Sequence, residues 1–270
     1  MAYSTRIIKD SLGPSGRRIT TWVLSYPRFV HSELMTHRQF SRNASSSRAI
    51  PIQKMISRVW HDPVLPVWWG RNQKGMQAQE ELAGLRKRAV VRLWLFARFF
   101  AIAFAWLLWK LDLHKQIANR MLEPWMFIEV VMTTTEHANW FHLRRHPDAQ
   151  PEIQWIANDM WEKWHASKPT KLRVGEWHIP FVDSWEFGQH DVEALKKIAV
   201  GRLARVSYLT HDGRRNTDED VTLCEKLAVS GHWSPFEHVA RALLSAERSG
   251  NFRGWMQMRK SYANEVVEDA

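Results

Sequence analysis

Three stretches of the chain gather residue types that can do chemistry. The densest is Thr36-His37-Arg38-Gln39-Phe40-Ser41-Arg42-Asn43-Ala44-Ser45-Ser46-Ser47-Arg48, where three arginines, a histidine and several small hydroxyl and amide side chains follow an apolar segment. Backbone N–H groups, hydroxyls and guanidinium forks presented together are what phosphate recognition needs. On charge alone the same stretch reads as a solvated, Ser-rich loop. The second stretch is Gly231-His232-Trp233-Ser234-Pro235-Phe236-Glu237-His238. Ser234 as N-cap, Pro235 at the first position and Glu237 three residues after the cap make a capping box; His232 and His238 are left without a structural reason. The third runs from Asn139 to Ile153, with Arg144, Arg145 and His146 just ahead of a helix start. That place suits an anion as well as it suits solvent-facing charge. His137, His142 and His146 follow no known metal-ligand spacing, and no metal site is expected.

Composition narrows the field of chemistries. With 270 residues, 45% of them hydrophobic, the chain can bury a sizeable core. Its net charge of +10 favours an anionic partner: nucleic acid, a phosphorylated metabolite or an acidic surface. The single cysteine, Cys224, excludes a disulfide framework and a multi-thiolate metal site and points to a reducing, cytoplasmic setting. It lies mid-helix in Val-Thr-Leu-Cys-Glu-Lys, with no adjacent histidine to lower its pKa, so nucleophilic thiol chemistry is not expected.

The elements that must hold these stretches follow from periodicity and punctuation. Arg18–Ser25 reads as a strand, Tyr26-Pro27 opens a helix through Thr36, and Ser41–Ser47 reads as a loop. Residues 60–75 form an irregular connection, and a long helical pattern runs from Met76 to about Leu111. Its apolar stretch Ala89–Trp109 contains Arg92 and Arg98, which would cost several kcal/mol at mid-bilayer. With Ala97, Ala101 and Ala105 forming a smooth stripe, a buried or intersubunit helix is expected, and no membrane span. Leu113–Glu136 continues helical around a break at Pro124, and Gln150–His165 and Asp191–Tyr208 are helices. Asp220 caps a further helix that Gly231 stops.

Taken together, the stretches resemble the flavin-dependent thymidylate synthases. His37, Arg38, Ser41, Asn43, Ser46 and Arg48 fall in register with that family's R-H-R-x-x-S-x-N-E-x-S-x-R-Y signature. Residues 231–238 resemble its G-H-x-[ST]-P-F-E-H element, Ala204–Tyr208 its A-R-V-S-[YF] segment, and Asn139–Ile153 its N-F-x-x-L-R-x-x-x-x-A-Q-x-E-I stretch. The order differs: the A-R-V-S and P-F-E-H elements precede the signature in the family and follow it here. The chain therefore resembles a circular permutation, and Phe252–Arg259 resembles a second copy of the F-x-x-R-Q-W-F-R-H-R lead-in that Phe29–Arg38 also matches. Thr36, Ala44 and Ala49 depart from the signature, and Asp148 stands where histidine is usual. Arg253 or Arg259 is expected to restore some of the missing positive charge.

The resemblance implies an α+β fold, an antiparallel sheet flanked by long helices, as one catalytic domain over residues 1–270 with a helical insertion at about 60–112. It implies a homotetramer with shared active sites. The implied reaction passes a one-carbon unit from methylenetetrahydrofolate to C5 of dUMP, with FAD recharged by NADPH. By position, His37, Arg38, Asn139, Ser207, Ser234 and Glu237 would bind flavin or position folate, and Ser46, Arg48, Arg120 and Arg144 would hold the nucleotide. Arg144, His37 and Ser46 would stand at the chemistry. Asn119 takes the place of Arg120 unless one residue is inserted nearby. Three rivals stay open: methylation or hydroxymethylation of another nucleotide such as dCMP, a basic, Trp-rich nucleic-acid-binding protein without catalysis, and a degenerate family member that keeps the fold without turnover.

Overall fold

A computed structural model describes residues 3–208 and 216–266. Strand β1 (Ser4–Leu12) turns back through Gly13–Arg17 into β2 (Arg18–Pro27). The turn needs Gly16, whose φ of 72° lies in the left-handed region. A 3₁₀ turn at Arg28–Val30 and the short α1 (His31–Met35) lead to β3 (Ser41–Ala44), followed by α2 (Ile52–His61) and α3 (Gly84–Lys110). Then come α4 (Lys115–Ala118), a 3₁₀ segment at Asn119–Trp125, β4 (Phe127–Thr134), α5 (Ala138–Arg144) and α6 (Pro151–Ala166). Two-residue strands β5 (Thr170–Lys171) and β6 (Trp177–His178) precede α7 (Val192–Tyr208) and α8 (Thr217–Val229). The described chain ends in β7 (Ala240–Ala242), β8 (Arg248–Ser249), β9 (Phe252–Arg253) and β10 (Trp255–Gln257).

The main sheet has the order β3-β4-β2-β1-β5, antiparallel throughout except for the parallel β1–β5 edge. Strand alternation explains why both faces are covered. Trp22, Leu24, Tyr26, Ile128, Val130 and Met132 point to one face, where Trp140 of α5 and Ile153, Ile156 and Met160 of α6 pack. Val23 and Val131 point to the other, under Leu195, Ala199 and Leu203 of α7 and Leu227 of α8. The α+β reading, an antiparallel sheet flanked by helices, is what the chain adopts.

Helices α7 and α8 approach closely because residue 201 has no side chain: a methyl group there would come within 2.3 Å of the Asp220 carbonyl oxygen. Gly201→Ala should therefore destabilise the fold by about 3 kcal/mol, read as a lower denaturant midpoint. An unchanged midpoint would show that the helices can separate freely.

Several expectations are corrected. Tyr26 and Pro27 end a strand rather than open a helix. Ser41–Ala44 is a paired strand, not a loop. Residues 127–134, expected helical, are the interior strand β4, whose Ile-Glu-Val-Val-Met-Thr-Thr run favours a pleated surface. The long helix starts at Gly84 rather than Met76. Asn216, not Asp220, caps α8, accepting from the backbone N–H groups of Asp218 and Glu219. Asp220 is instead buried against Arg202 and Arg205. Ser234 makes no capping hydrogen bond; Ser234–Glu237 is one turn of 3₁₀ helix. Finally, α3 is not buried within the chain: only Ala101 and Ala105 are covered, and Ala97 is exposed.

Candidate active site

The turn after α1 builds the first part of the site. Arg42 caps α1 by donating from Nη1 to the carbonyls of Met35 (2.9 Å) and His37 (3.2 Å). The His37 ring is held between Phe40, stacked at 5.5 Å, and the edge of Trp140 at 4.9 Å. Burial, then the charges of Arg144 and Arg42, lower its pKa to about 4. A neutral imidazole follows, and its Nε2 accepts a hydrogen bond from Arg144 Nε at 3.0 Å. Arg144 also donates to Glu33 Oε2 (2.8 Å) and to Thr36 Oγ1 (3.0 Å). Thr36, in place of the signature's first arginine, thus leaves room for the Arg144 fork and accepts from it.

Arg144 and Glu33 open onto a cleft of about 580 Å³, walled by Pro147–Pro151 on one side and by Trp68, Gly70 and Met76–Ala78 on the other. The second wall is a narrow hairpin-like excursion closed by the Gly70–Glu81 bridge and by Leu82 N–H donating to the Trp69 carbonyl. Gln77 Nε2 reaches across to the Asp148 carbonyl. Sequence reasoning missed Glu33, Trp68 and Gln77. Glu33 carried a usable signal, an acid one helical turn from His37; the hairpin residues carried none.

The second part is the Ser45–Ile50 turn. Asn119 is fully buried and donates its amide to the carbonyls of Ser47 (2.7 Å) and Ile50 (3.0 Å), fixing the turn from beneath. Its donors are committed, so Arg120, half-exposed and paired with Glu123 at 2.7 Å, is the member of the pair that faces outward. Arg48 is exposed and makes no hydrogen bond or ion pair among the described residues. No such bond joins this group to Arg144 either.

The third part is brought in from the far end of the chain. Gln257 Nε2 donates to Ser41 Oγ at 2.9 Å and to the Glu237 carbonyl at 3.3 Å. Asn43 Nδ2 donates to the Leu203 carbonyl at 2.6 Å, and the Thr133 hydroxyl pairs with His238 Nδ1 at 2.8 Å. Ser41 and Asn43, which read as phosphate donors in a solvated loop, are buried and spent on these ties. Glu237 is ion-paired with Arg259, which also holds Glu265 at 2.7 Å. Arg253 pairs instead with Glu136 at 3.5 Å. Arg38, Asn139 and Ser234 are exposed, and their side chains make no hydrogen bond or ion pair among the described residues. Ser207 lies in the last turn of α7, with its side chain outside the described residues.

Other chemistries find little support here. No group of three His, Cys, Asp or Glu close enough to hold a metal occurs among the described residues. His137 is buried and accepts from Trp22 Nε1 at 3.2 Å, whereas His142 and His146 are exposed. Burial pushes the Cys224 thiol up to about 12, which removes it as a nucleophile near neutral pH.

The arginine–histidine–glutamate cluster lies at the cleft, and comparison with known proteins gives the class. The model of the thymidylate synthase complementing protein family matches residues 18–170, more than half of the chain. The chain belongs to that family and is a thymidylate synthase-like methyltransferase. The match contains the first and third motif stretches, and residues 204–208 and 231–238 lie after it. No curated protein matches the chain significantly. Among solved structures, it is similar to the UMP/dUMP methylase PolB from Streptomyces cacaoi bound with 5-Br UMP. That pair shares 17% identity over 61% of this chain and 89% of that one, with a TM-score of 0.48. The same enzyme bound with 5-Br dUMP matches at 20% identity over 55% and 67%, with a TM-score of 0.45.

Proposed function

We propose that the chain transfers a one-carbon unit from methylenetetrahydrofolate to C5 of a deoxypyrimidine monophosphate, dUMP foremost, as a flavin-dependent thymidylate synthase with NADPH as reductant. The observation that carries this reading is the Arg144–His37–Glu33 cluster at the cleft mouth, built inside the family-matched segment. Glu33 offsets the charge of Arg144, so this guanidinium suits a neutral pyrimidine carbonyl. Arg48, unpaired, and Arg120 suit the phosphate dianion, with Ser46 beside them. The shared sites of a homotetramer, which the family resemblance implies, would let a second subunit bring Arg48 and Arg120 to Arg144.

The free side chains fit FAD. Arg38, Asn139 and Ser234 supply a guanidinium, an amide and a hydroxyl that the protein leaves unused, the donor set a pyrophosphate and a polyol chain require. When bound, FAD supplies the reducing equivalents that turn the transferred unit into a methyl group. His37, kept neutral, orients Arg144 and lends no charge. Glu237, held by Arg259, presents a carboxylate beside the unused Ser234. In this reading the late A-R-V-S and P-F-E-H elements belong to the same site; the Asn43 bond to the Leu203 carbonyl and the Gln257 bonds to Ser41 and to the Glu237 carbonyl, which tie their neighbourhood to β3, support it.

The test is spectroscopic. The purified protein should show flavin bands at about 370 and 450 nm, and Arg259→Ala should bind FAD or dUMP at least about fivefold more weakly through loss of the ion pair that positions Glu237. Unchanged affinities would reject the role of Arg259, and a colourless protein that takes up no FAD would reject the flavin. Thr36, replacing an arginine next to Arg144, favours keeping dCMP as a second substrate; product analysis with each nucleotide separates the two.

A further inference from the structure

The excursion between Val67 and Leu82 has a firm root and a loosely held tip. At the root, the Val67 N–H donates to Glu152 Oε1 at 3.0 Å, and the buried Glu152 also accepts from Gln150 Nε2 at 2.8 Å. The Trp69 N–H donates to Glu81 Oε1 at 3.2 Å. The two limbs touch at Gly70, where a methyl group would come within 2.2 Å of the Ala78 side chain and 3.4 Å of the Trp68 indole nitrogen. The tip is bonded to itself: Gln73 Nε2 donates to the Gln77 carbonyl at 2.8 Å, and Gln73 Oε1 accepts from the Gln79 N–H at 3.2 Å. Among the described residues, the hydrogen bond that ties it across the cleft runs from Gln77 Nε2 to the Asp148 carbonyl.

The surface that the excursion turns to the cleft is apolar. Trp68 is 40% exposed, Met76 is wholly exposed, and the Trp68 indole N–H makes no hydrogen bond among the described residues. Pro147 and Pro151 line the other wall, and Arg144 and Glu33 open onto the space between. An indole and a polarisable sulfur across from proline rings suit a planar heterocycle, whose carbonyl groups can then meet the Arg144 guanidinium. We propose that residues 68–78 form a strap that opens at Gln77 to admit the pyrimidine ring and closes with the Trp68 indole stacked on it. Trp68 is then a substrate-binding residue and Gln77 a positioning residue. The inference rests on the reading of Arg144 as the pyrimidine site. Stacking accepts any base, so Trp68 supplies affinity and leaves the choice between uracil and cytosine to the polar groups. One exposed hydrogen bond is a weak tie, which suits a latch that is broken at each turnover. The same latch holds the strap closed with and without nucleotide. Its loss therefore speeds entry and exit alike and leaves affinity nearly unchanged.

The test uses the full chain with FAD present. Trp68→Ala should raise the Kd for dUMP about tenfold, the loss expected for one stacked base, and Trp68→Phe should stay within about twofold of the native value. In stopped-flow mixing, Gln77→Ala should raise both the association and the dissociation rate constants about three- to tenfold, with Kd within about twofold. Hydrogen exchange needs no variant: dUMP should slow the exchange of the amides of residues 70–79 in the native chain. An unchanged Kd in Trp68→Ala, unchanged rates in Gln77→Ala, or no protection of residues 70–79 would overturn the strap, while dUMP binding by the native chain still upholds the pyrimidine reading. A native chain that binds neither dUMP nor dCMP would overturn both.

Discussion

Arg144→Ala should reduce kcat/KM with dUMP by two orders of magnitude or more, while its denaturant midpoint falls only modestly. The guanidinium sits at the cleft mouth and is held by three partners, His37, Glu33 and Thr36. Its removal deletes a charge-assisted contact to substrate, worth about 1.5–3 kcal/mol, and releases Glu33 to place an uncompensated carboxylate in the cleft. The second effect adds to the first, since a like charge then faces an anionic nucleotide. Isothermal titration and steady-state kinetics measure both. Glu33→Gln in the Arg144→Ala background should recover part of the loss, an outcome expected only if the free carboxylate repels the nucleotide. Unchanged nucleotide binding in Arg144→Ala would remove Arg144 from the site.

The second large effect is on stability against acid. His137, His178 and His238 are buried and neutral; burial lowers His137 and His238 to about 3 and places His178 well below the ordinary value. His178 and His238 are linked through the Thr21 and Thr133 hydroxyls, at 2.8, 2.7 and 2.8 Å along the chain of bonds. The unfolded chain protonates these imidazoles near pH 6.5 and the folded chain does not. Their contribution is therefore complete above pH 6.5 and is lost progressively as pH falls toward 3. Each group contributes at most about 1.4 kcal/mol per pH unit, so the three together reach about 4 kcal/mol per unit. Urea midpoints between pH 7 and pH 5 should fall steeply, and because His31 and His37, each lowered to about 4, add to the slope, His238→Asn should flatten it by about a fifth. A midpoint independent of pH over that interval would show that these histidines are not held neutral.

How far the residues alone foretell this structure depends on whether the deciding contacts are local. The strand Arg18–Ser25 and the helices Gln150–His165 and Asp191–Tyr208 carry their own periodicity, and the chain forms them within a few residues of the expected bounds. Strand β4 was masked because it directly follows a helical pattern, with only Pro124 to mark the change. The Ser41–Ala44 strand was hidden for a different reason. Its hydroxyl and amide groups read as solvated until Gln257, Asn251 and the Leu203 carbonyl, some 160–216 residues away, supply their partners. The motif residues included both His37 and Arg144, which a hydrogen bond joins. They could not foretell Glu33 as the counter-charge, or the Trp68–Ala78 hairpin as a cleft wall, since neither belongs to a motif. The helix at 84–110 shows the opposite limit: its apolar composition announced burial, and one chain supplies a partner for only one side.

The most direct test of pyrimidine C5 transfer follows the hydrogen that must leave C5. With dUMP tritiated at C5, methylenetetrahydrofolate, FAD and NADPH, the protein should release tritium into water and form dTMP in equal amount, and Arg144→Ala should slow both together. Retention of tritium at C5 with dUMP and with dCMP, under conditions where the protein binds flavin, would contradict the account.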